Sequence, residues 1–151
     1  MLYIAHQFSV FMVNKPGVLG QVLSEFAHAK LNVRAITMMD SAEHGVMRVI
    51  FTKPEGAREV LSGLNLSFSE TDVLCVVLDN KPGALADVAE KLARNHINIS
   101  YAYCTAGARG GKATGVLKVA DVKKAVRLLE KTGKKASRSG PAIRRSRAAH
   151  R

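Results

Sequence analysis

The segment Asn14-Lys15-Pro16-Gly17-Val18-Leu19 returns 66 positions later as Asn80-Lys81-Pro82-Gly83-Ala84-Leu85. The match continues at the same offset, with Leu31-Asn32-Val33 repeated as Ile97-Asn98-Ile99. A fixed offset that preserves both polar and apolar positions indicates two copies of one folding unit. The sequence therefore predicts a tandem repeat in which the role of the Asn-Lys-Pro-Gly segment is present twice.

Both copies predict the same order of secondary structure. A β-branched and aromatic run is ended by the Asn-Lys-Pro-Gly turn, and a helical stripe of apolar residues follows it. Two further strands joined by a polar hairpin, a second helix and a short fourth strand complete each copy. The predicted ranges are 3–13, 18–27, 32–39, 46–52, 54–64 and 66–69 in copy one, and 73–78, 84–93, 98–104, 113–119, 120–131 and about 133–140 in copy two.

This βαββαβ order is typical of a ferredoxin-like unit, so the predicted fold class is α+β, with antiparallel sheets that carry helices on one face. The predicted divisions are residues 1–70 for the first unit, 71–133 for the second and 134–151 for a basic tail. A repeat of this length is near the lower limit for independent folding, so the copies are expected to support each other. Pairing of strand edges between copies would merge their sheets and remove an exposed edge.

The formal charge of +11 belongs mostly to the tail. Residues 134–151 hold seven of the 23 Lys and Arg residues and no acid, which leaves 16 basic and 12 acidic residues in 1–133. The tail composition predicts a disordered, solvated extension. Its alternative role is nonspecific affinity for nucleic acid or an acidic partner, although it lacks the interleaved aromatics that stack on bases.

Several classes of function find no support in the sequence. Cys75 and Cys104 lack metal-ligand spacing and are predicted to be reduced, buried thiols of a cytoplasmic protein. The five histidines show no metal-binding spacing, and no apolar run approaches the length of a membrane span. No signal peptide, activated nucleophile or cofactor loop is visible, so we expect neither an enzyme nor a cofactor.

The repeated loop has the chemistry of a site for a small zwitterion. Proline fixes the turn and glycine leaves its backbone open to approach. The helix that follows offers free N–H groups and a positive dipole end to an anion such as a carboxylate. The Asn before the turn and a second Asn 18 residues later, at the next strand, offer amide oxygens to an ammonium group. The alternative reading is turn chemistry alone, which leaves the returning Asn unexplained.

These two motifs, each followed by its Leu/Ile-Asn-Val/Ile segment, resemble the ACT domain over about residues 1–133. The resemblance implies a ferredoxin-like regulatory module that binds an amino acid where the strand-to-helix loop of one unit faces an edge strand of another. Family members that bind serine use both motif asparagines, and some add a histidine two positions before the first Asn. That position holds Met12 or Leu78 here, so the serine-type site is incomplete and the ligand is left open.

The residues predicted to bind the ligand are Asn14, Pro16, Gly17, Val18, Leu19, Asn32, Asn80, Pro82, Gly83, Ala84, Leu85 and Asn98. The leading hypothesis is a non-catalytic sensor of a free amino acid, with sites between the repeats or between chains of a homodimer. One alternative is a regulatory subunit that docks on a biosynthetic enzyme, because small proteins of two ACT units are in some cases labelled acetolactate synthase small-subunit-like. Another is a nucleic-acid-associated protein that acts through residues 134–151. No membrane partner is expected.

Overall fold

A computed structural model of the chain describes residues 1–40, 44–105 and 111–136. In these described residues, six strands form one antiparallel sheet in the order β2-β3-β1-β4-β6-β5, and four helices accompany it. In chain order the elements are β1 (Leu2–Val13), α1 (Val18–His28), β2 (Val33–Met39), β3 (His44–Phe51), α2 (Ala57–Gly63), β4 (Ser67–Asp79), α3 (Ala84–Arg94), β5 (Ile99–Thr105), β6 (Lys112–Val119) and α4 (Val122–Ala136). The predicted α+β fold of antiparallel strands and helices is confirmed.

The first helix of each copy begins where the repeat predicts it. Gly17 and Gly83 precede α1 and α3 with φ angles of 85° and 87°, a left-handed conformation that glycine adopts without steric cost. Each helix then buries the same two repeat positions, Val22 and Phe26 in α1, and Val88 and Leu92 in α3. The second helices differ from prediction at their ends. Residues 54–56 precede α2, whereas α4 continues five residues past its predicted end.

The middle of the sheet is a long pairing of β1 with β4. His6 lies directly opposite Asp72, and these two residues are repeat equivalents because their numbers differ by 66. The register therefore places a pseudo-two-fold axis at this pair. The continuous β4 replaces the two strands predicted at 66–69 and 73–78, because the residues between them extend the same ladder. The predicted division between residues 70 and 71 falls inside β4 and stays a prediction.

The neighbour of copy two's first strand comes from the start of the chain. Leu2 to Ala5 pair with Val76 to Val73, beside the half of β4 that belongs to copy two. The fourth strand predicted at about 133–140 is therefore wrong for residues 133–136, which continue α4. Residues 137–140 lie outside the described part of the chain. Each central strand thus serves both copies, one half in each.

Two apolar clusters lie between the sheet and its helices. Even-numbered residues of β1, such as Phe8 and Val10, pack with Phe26 and Leu61 of α1 and α2. The cluster of copy two contains Leu74, Val76, Leu92, Leu117 and Ala125, again from one face of the sheet and its two helices. Leu2 packs against this second cluster from the same face of β1. All four helices therefore cover one face, as predicted.

The helix-free face curls inward until the edge strands β2 and β5 come into contact. At the centre of this curl, Gln7 is fully buried. Its amide nitrogen donates to the Tyr101 hydroxyl at 2.6 Å, and its oxygen accepts from the Tyr103 hydroxyl at 2.9 Å. The Arg48 guanidinium lies 3.9 Å from the Tyr101 ring centroid. These contacts connect β1, β3 and β5 across the curl and give the buried amide the partners that burial requires.

One cysteine prediction is wrong. Cys75 is buried as predicted, on the helix-free face, but Cys104 is exposed. The apolar run that contains Cys104 is the edge strand β5, in which alternate residues point to opposite faces, and the face that holds Cys104 is exposed.

Truncation of Leu61 should be costly because this side chain is fully buried in the copy-one cluster. We expect Leu61→Ala to lower the free energy of unfolding by about 2–5 kcal/mol. Val13→Ala, at an exposed apolar position, should cost less than about 1 kcal/mol. Urea titration followed by far-UV circular dichroism and by tyrosine fluorescence measures both. Because β1 and β4 serve both copies, the two signals should show one coincident transition; separate transitions would show that the copies unfold independently.

A cluster of charged side chains around His6 lies at the pseudo-two-fold axis, and we expect its contribution to stability to depend on pH. His6 lies 2.7 Å from Glu70 and 3.3 Å from Asp72, and Arg58 lies 2.8 Å from Glu70. The hydrogen bond to Glu70 raises the pKa of His6 above 6.5, and the same bond lowers the pKa of Glu70.

A raised histidine pKa in the folded state gives stability that is complete below pH 6.5 and is lost as the pH rises through the folded-state pKa. The urea midpoint of the wild type should therefore fall over this interval, and His6→Gln should flatten the profile there. His28→Gln is the control for loss of one histidine. An unchanged slope in His6→Gln would contradict the assignment.

Candidate functional site

The two Asn-Lys-Pro-Gly loops have the same backbone structure. Each connects the end of a central strand to a helix, and the N–H of its lysine donates to the last strand residue, at 3.0 Å from Lys15 to Val13 and 2.8 Å from Lys81 to Asp79. Because β1 and β4 are antiparallel, the loops lie at opposite ends of the central pair. Any site that one loop forms is therefore separate from the site of the other.

The helix N-termini leave amide groups for an acceptor. The first intrahelical bonds run from Gln21 to Gly17 and from Asp87 to Gly83, both at 3.0 Å. The preceding amides of Val18 and Ala84 bond to the loop lysine carbonyls only at 3.4 Å, which is long for a hydrogen bond. The next two amides of each helix have no acceptor in the intrahelical pattern. An anion at either terminus would meet these donors and the positive end of the helix dipole.

In copy one the protein's own side chains occupy the space around the loop. The Asn14 amide nitrogen donates to an Asp40 carboxylate oxygen at 2.8 Å. Val18 and Leu19 are half-buried and pack against the copy-one cluster. The terminal methyl of Met38 lies so close to Gly45 that a Cβ at this glycine would meet it at 3.3 Å. A ligand at this loop would have to displace some of these contacts.

In copy two the equivalent space is an open groove of about 340 Å³. The groove brings three predicted site residues, Asn80, Ala84 and Leu85, together with Lys81 of the same loop and with Cys104 and Thr105 at the end of β5. Cys104 stands at the repeat position of Met38, so a shorter side chain leaves the groove open. Leu78 and Ala113 complete its lining and make it partly apolar.

A polar link holds the copy-two loop against β6. The Asn80 N–H donates to the Gly111 carbonyl at 3.0 Å, and the Lys112 ammonium forms an ion pair with Asp79. This lysine, through its hydrogen bond, holds the pKa of Asp79 below its ordinary value of 3.8. The Asn80 side chain is exposed at the rim of the groove, where it can meet a ligand.

The second motif asparagine of each copy lies away from the first. Asn14 and Asn32 are separated by α1, and Asn80 and Asn98 by α3, each an 11-residue helix about 16 Å long. The Asn32 amide nitrogen donates to the Thr52 hydroxyl at 3.0 Å, and Asn98 lines a different open groove beside His96. The structure therefore does not bring the two predicted asparagines of one copy together.

The curl of the sheet instead places an asparagine of one copy at the same end of the molecule as the loop of the other copy. Thr105 lines the groove beside Asn80, and it also lines a cavity with Arg34, which follows Asn32 by two residues. The start of β2 thus lies at the same end of the molecule as the copy-two loop. Asn98 precedes β5 and is separated from Thr105 by the length of that strand, about 20 Å.

Sequence reasoning missed Cys104, Thr105 and Asp79 as groove residues, and Lys112 as the ion-pair partner of Asp79. The repeat could have pointed to the first two, because they occupy the positions of Met38 and Met39 beside the other loop. The ion pair of Asp79 with Lys112 has no signal in the repeat, since it depends on the β4–β6 register.

Neither a metal site nor a membrane-spanning helix is present in the described part of the chain. Among residues 1–40, 44–105 and 111–136, no group of three or more His, Cys, Asp or Glu side chains could hold a metal ion. No helix in those ranges is long and apolar enough to cross a membrane.

Comparison with protein families identifies the fold. The family model described as an ACT domain pair matches residues 3–135, so the chain belongs to this family. The comparison with curated proteins returned no significant match.

Solved structures share this architecture over most of the chain. Protein BT0572 from Bacteroides thetaiotaomicron is 29% identical, with a TM-score of 0.80 over 87% of this chain and 90% of its own. The aspartokinase alpha and beta subunits are 19% identical, with a TM-score of 0.61 over 88% of this chain and 97% of theirs. The ligand-free regulatory subunit of aspartate kinase from Thermus thermophilus is 14% identical, with a TM-score of 0.62 over 87% and 94%. At these identities the two kinase structures establish a shared fold.

Removal of the Lys112 charge should change the titration of Asp79. We expect Lys112→Gln to raise the pKa of Asp79 toward 3.8, because Lys112 is the main cause of its depression. Lys81→Gln should shift it less, since Lys81 contributes the weaker charge effect. Side-chain carboxyl NMR over an acid titration measures both variants. Equal shifts in the two would show that the ion pair does not govern this carboxylate.

Proposed function

We propose that this ACT domain pair is a non-catalytic sensor that binds a free amino acid and regulates amino-acid metabolism allosterically. The observation that carries the proposal is the copy-two groove, where a helix N-terminus, the Asn80 side chain and the end of β5 meet. The fold shared with the regulatory subunit of an aspartate kinase supports a regulatory role.

The groove offers a place for each part of an amino acid. The ligand carboxylate would accept hydrogen bonds from the first amides of α3, which also place the positive end of the helix dipole beside it. The ammonium would donate to the Asn80 amide oxygen and the Thr105 hydroxyl. The apolar part of the lining, Leu78, Ala113 and Cys104, suits a small aliphatic side chain.

We further propose that the site lies between the copies of one chain, with Asn32 as the second asparagine for the Asn80 loop. The shared position of Thr105 supports this pairing, because it connects the groove to the start of β2. By pseudo-symmetry, Asn14 and Asn98 would form the equivalent site at the other end of the molecule. The Asn14 side chain would first have to break its hydrogen bond to Asp40. Pro16, Gly17, Pro82 and Gly83 shape the loops, and Val18 and Leu19 support the copy-one helix from the core side.

A site built from two copies explains how binding could regulate a partner. A ligand shifts a conformational equilibrium only by its different affinity for the two states. A ligand held by copy two on one side and β2 on the other favours the arrangement in which both sides are in contact. A partner that binds this arrangement more tightly than the other would then respond to the amino acid.

Exposed apolar side chains favour a protein partner, and a homodimer is our first proposal for it. Phe11, Val13 and Met39 are 44%, 46% and 50% exposed near one end of the sheet. Phe11 and Met39 both pair with Val46 and so lie on one face. The regulated enzyme, as a docking partner in place of a second copy, is the alternative. Size-exclusion chromatography with light scattering, followed by co-purification from native extract, distinguishes the two.

Substitution of Asn80 tests the sensor directly. Asn80→Ala should weaken amino-acid binding about tenfold, the loss expected for one good hydrogen bond. Asn32→Ala should weaken it similarly if the site spans the copies, and the matched control Asn95→Ala, at the far end of α3, should not. Isothermal titration calorimetry with the twenty common amino acids measures the affinities. Absence of any ligand with a Kd below about 1 mM would contradict the proposed function.

A further inference from the structure

The helix-free face contains a second cavity, distinct from the groove beside Asn80. It encloses about 190 Å³ inside the curl, close to where β2 and β5 approach each other. Ala35, Ile50 and Val116 give it an apolar wall, and Tyr3, Thr105 and Thr114 give it hydroxyl groups. These residues share one face of the sheet by register, whereas Leu78 and Ala113 of the groove point to the helix side.

The pseudo-two-fold axis divides the interior of the curl into two halves. The cavity exists because side chains of different sizes fill these two halves. Around Gln7 the interior holds Tyr101, Tyr103 and Arg48, which are bonded or stacked with one another. The strand registers give each of these four residues an equivalent in the other copy, and each equivalent has a shorter side chain. Gln7, Tyr101, Tyr103 and Arg48 correspond to Val73, Ala35, Thr37 and Val116, in that order. Side chains that close one half are thus absent from the other, and a pocket remains there.

Arg34 supplies a positive charge at this pocket. It occupies the irregular position of β2 between Val33 and Ala35, and such a bulge redirects a side chain. Its guanidinium lies 5.2 Å from the Tyr3 ring centroid and lines the cavity. In the part of the chain that the structure describes, no carboxylate forms an ion pair with Arg34. Ser100 occupies the equivalent position of β5, so this charge has no counterpart in the filled half.

The other polar side chains of the pocket are neutral donors. Burial raises the pKa of the Tyr3 hydroxyl and of the Cys75 thiol beside it, so both keep their protons at neutral pH. Tyr3 also has Thr114 within hydrogen-bond reach. No Asp or Glu lines the pocket among the described residues, and an ammonium group would therefore find no counter-charge there.

We propose that this pocket binds a small aliphatic monocarboxylate that lacks an ammonium group. Its carboxylate would pair with Arg34 and accept from the hydroxyls of Tyr3 and Thr105. Its carbon chain would lie on Ala35, Ile50 and Val116. Arg–carboxylate pairs are charge-assisted and can be bidentate, which suits an anion at the pocket mouth. The site shares Thr105 with the proposed amino-acid groove, but its charge, its second hydroxyl and its apolar wall come from residues that do not line the groove.

The probes are isobutyrate and isovalerate, with valine as the zwitterionic comparison. Titrations of the full chain are followed by ¹H–¹⁵N NMR. Arg34→Ser gives copy one the residue that copy two has at this position, and Ala35→Tyr places there the tyrosine that fills the other half. Arg94→Ser, an exposed arginine on α3, is the matched control for loss of charge, and Asn80→Ala is the control for the groove.

We expect isovalerate to bind with a Kd near or below about 1 mM and to shift amides of Ala35, Cys75 and Val116. Arg34→Ser should weaken binding at least about tenfold, and both controls should stay within about twofold of wild type. Ala35→Tyr should abolish binding; if that variant does not fold, Tyr3→Phe, which removes one of the proposed donor hydroxyls and keeps the ring, should weaken binding a few-fold. Unchanged affinity in Arg34→Ser, valine binding in this pocket as tightly as isovalerate, or shifts confined to the Asn80 loop would each overturn the proposal.

Discussion

The antiparallel pairing of β1 with β4 is the constraint on which the rest of the structure depends. Its register places His6 opposite Asp72, which are repeat equivalents, and so fixes a pseudo-two-fold axis between the copies. One half of each strand belongs to each copy, and the two four-stranded sheets of the repeats overlap in this pair. A repeat of this size buries too little apolar surface to be stable alone. The shared central strands join the two apolar clusters through one sheet, so that each copy stabilises the other.

The candidate sites of the two copies are unequal, although the same axis relates their backbones. Symmetry of the backbone gives each copy a loop, a helix N-terminus and an edge strand, but side chains decide which space stays open. In copy one the methyl of Met38 lies close to Gly45, whereas in copy two the shorter Cys104 lines an open groove. On the opposite face the difference runs the other way, because Tyr101 fills one half and Ala35 leaves a pocket. Divergence of a few residues has thus produced two chemically different spaces within a duplicated frame.

The sequence predicted the elements well because their signals are local. The turn glycines, the apolar helical stripes and the repeat offset located α1, α3 and most strands to within a few residues. The fusion of two predicted strands into β4 and the return of Leu2–Ala5 to copy two could not be predicted, since both depend on pairing across some 70 residues. For the groove, the repeat identified Asn80, Ala84 and Leu85. It gave no indication of the ion pair between Asp79 and Lys112 or of Arg34 at the cavity inside the curl, which the register and the curl bring into place.

The position of Leu2–Ala5 has a consequence for the order in which the chain can fold. The hairpins β2–β3 and β5–β6 join nearby residues and can close early, but the first residues must wait for Val73–Val76 to be made before they find a partner. Contacts this distant in sequence slow folding, because chain entropy is lost before they form. On the ribosome, Leu2–Ala5 therefore lack their β4 partner until Val73–Val76 have been synthesised.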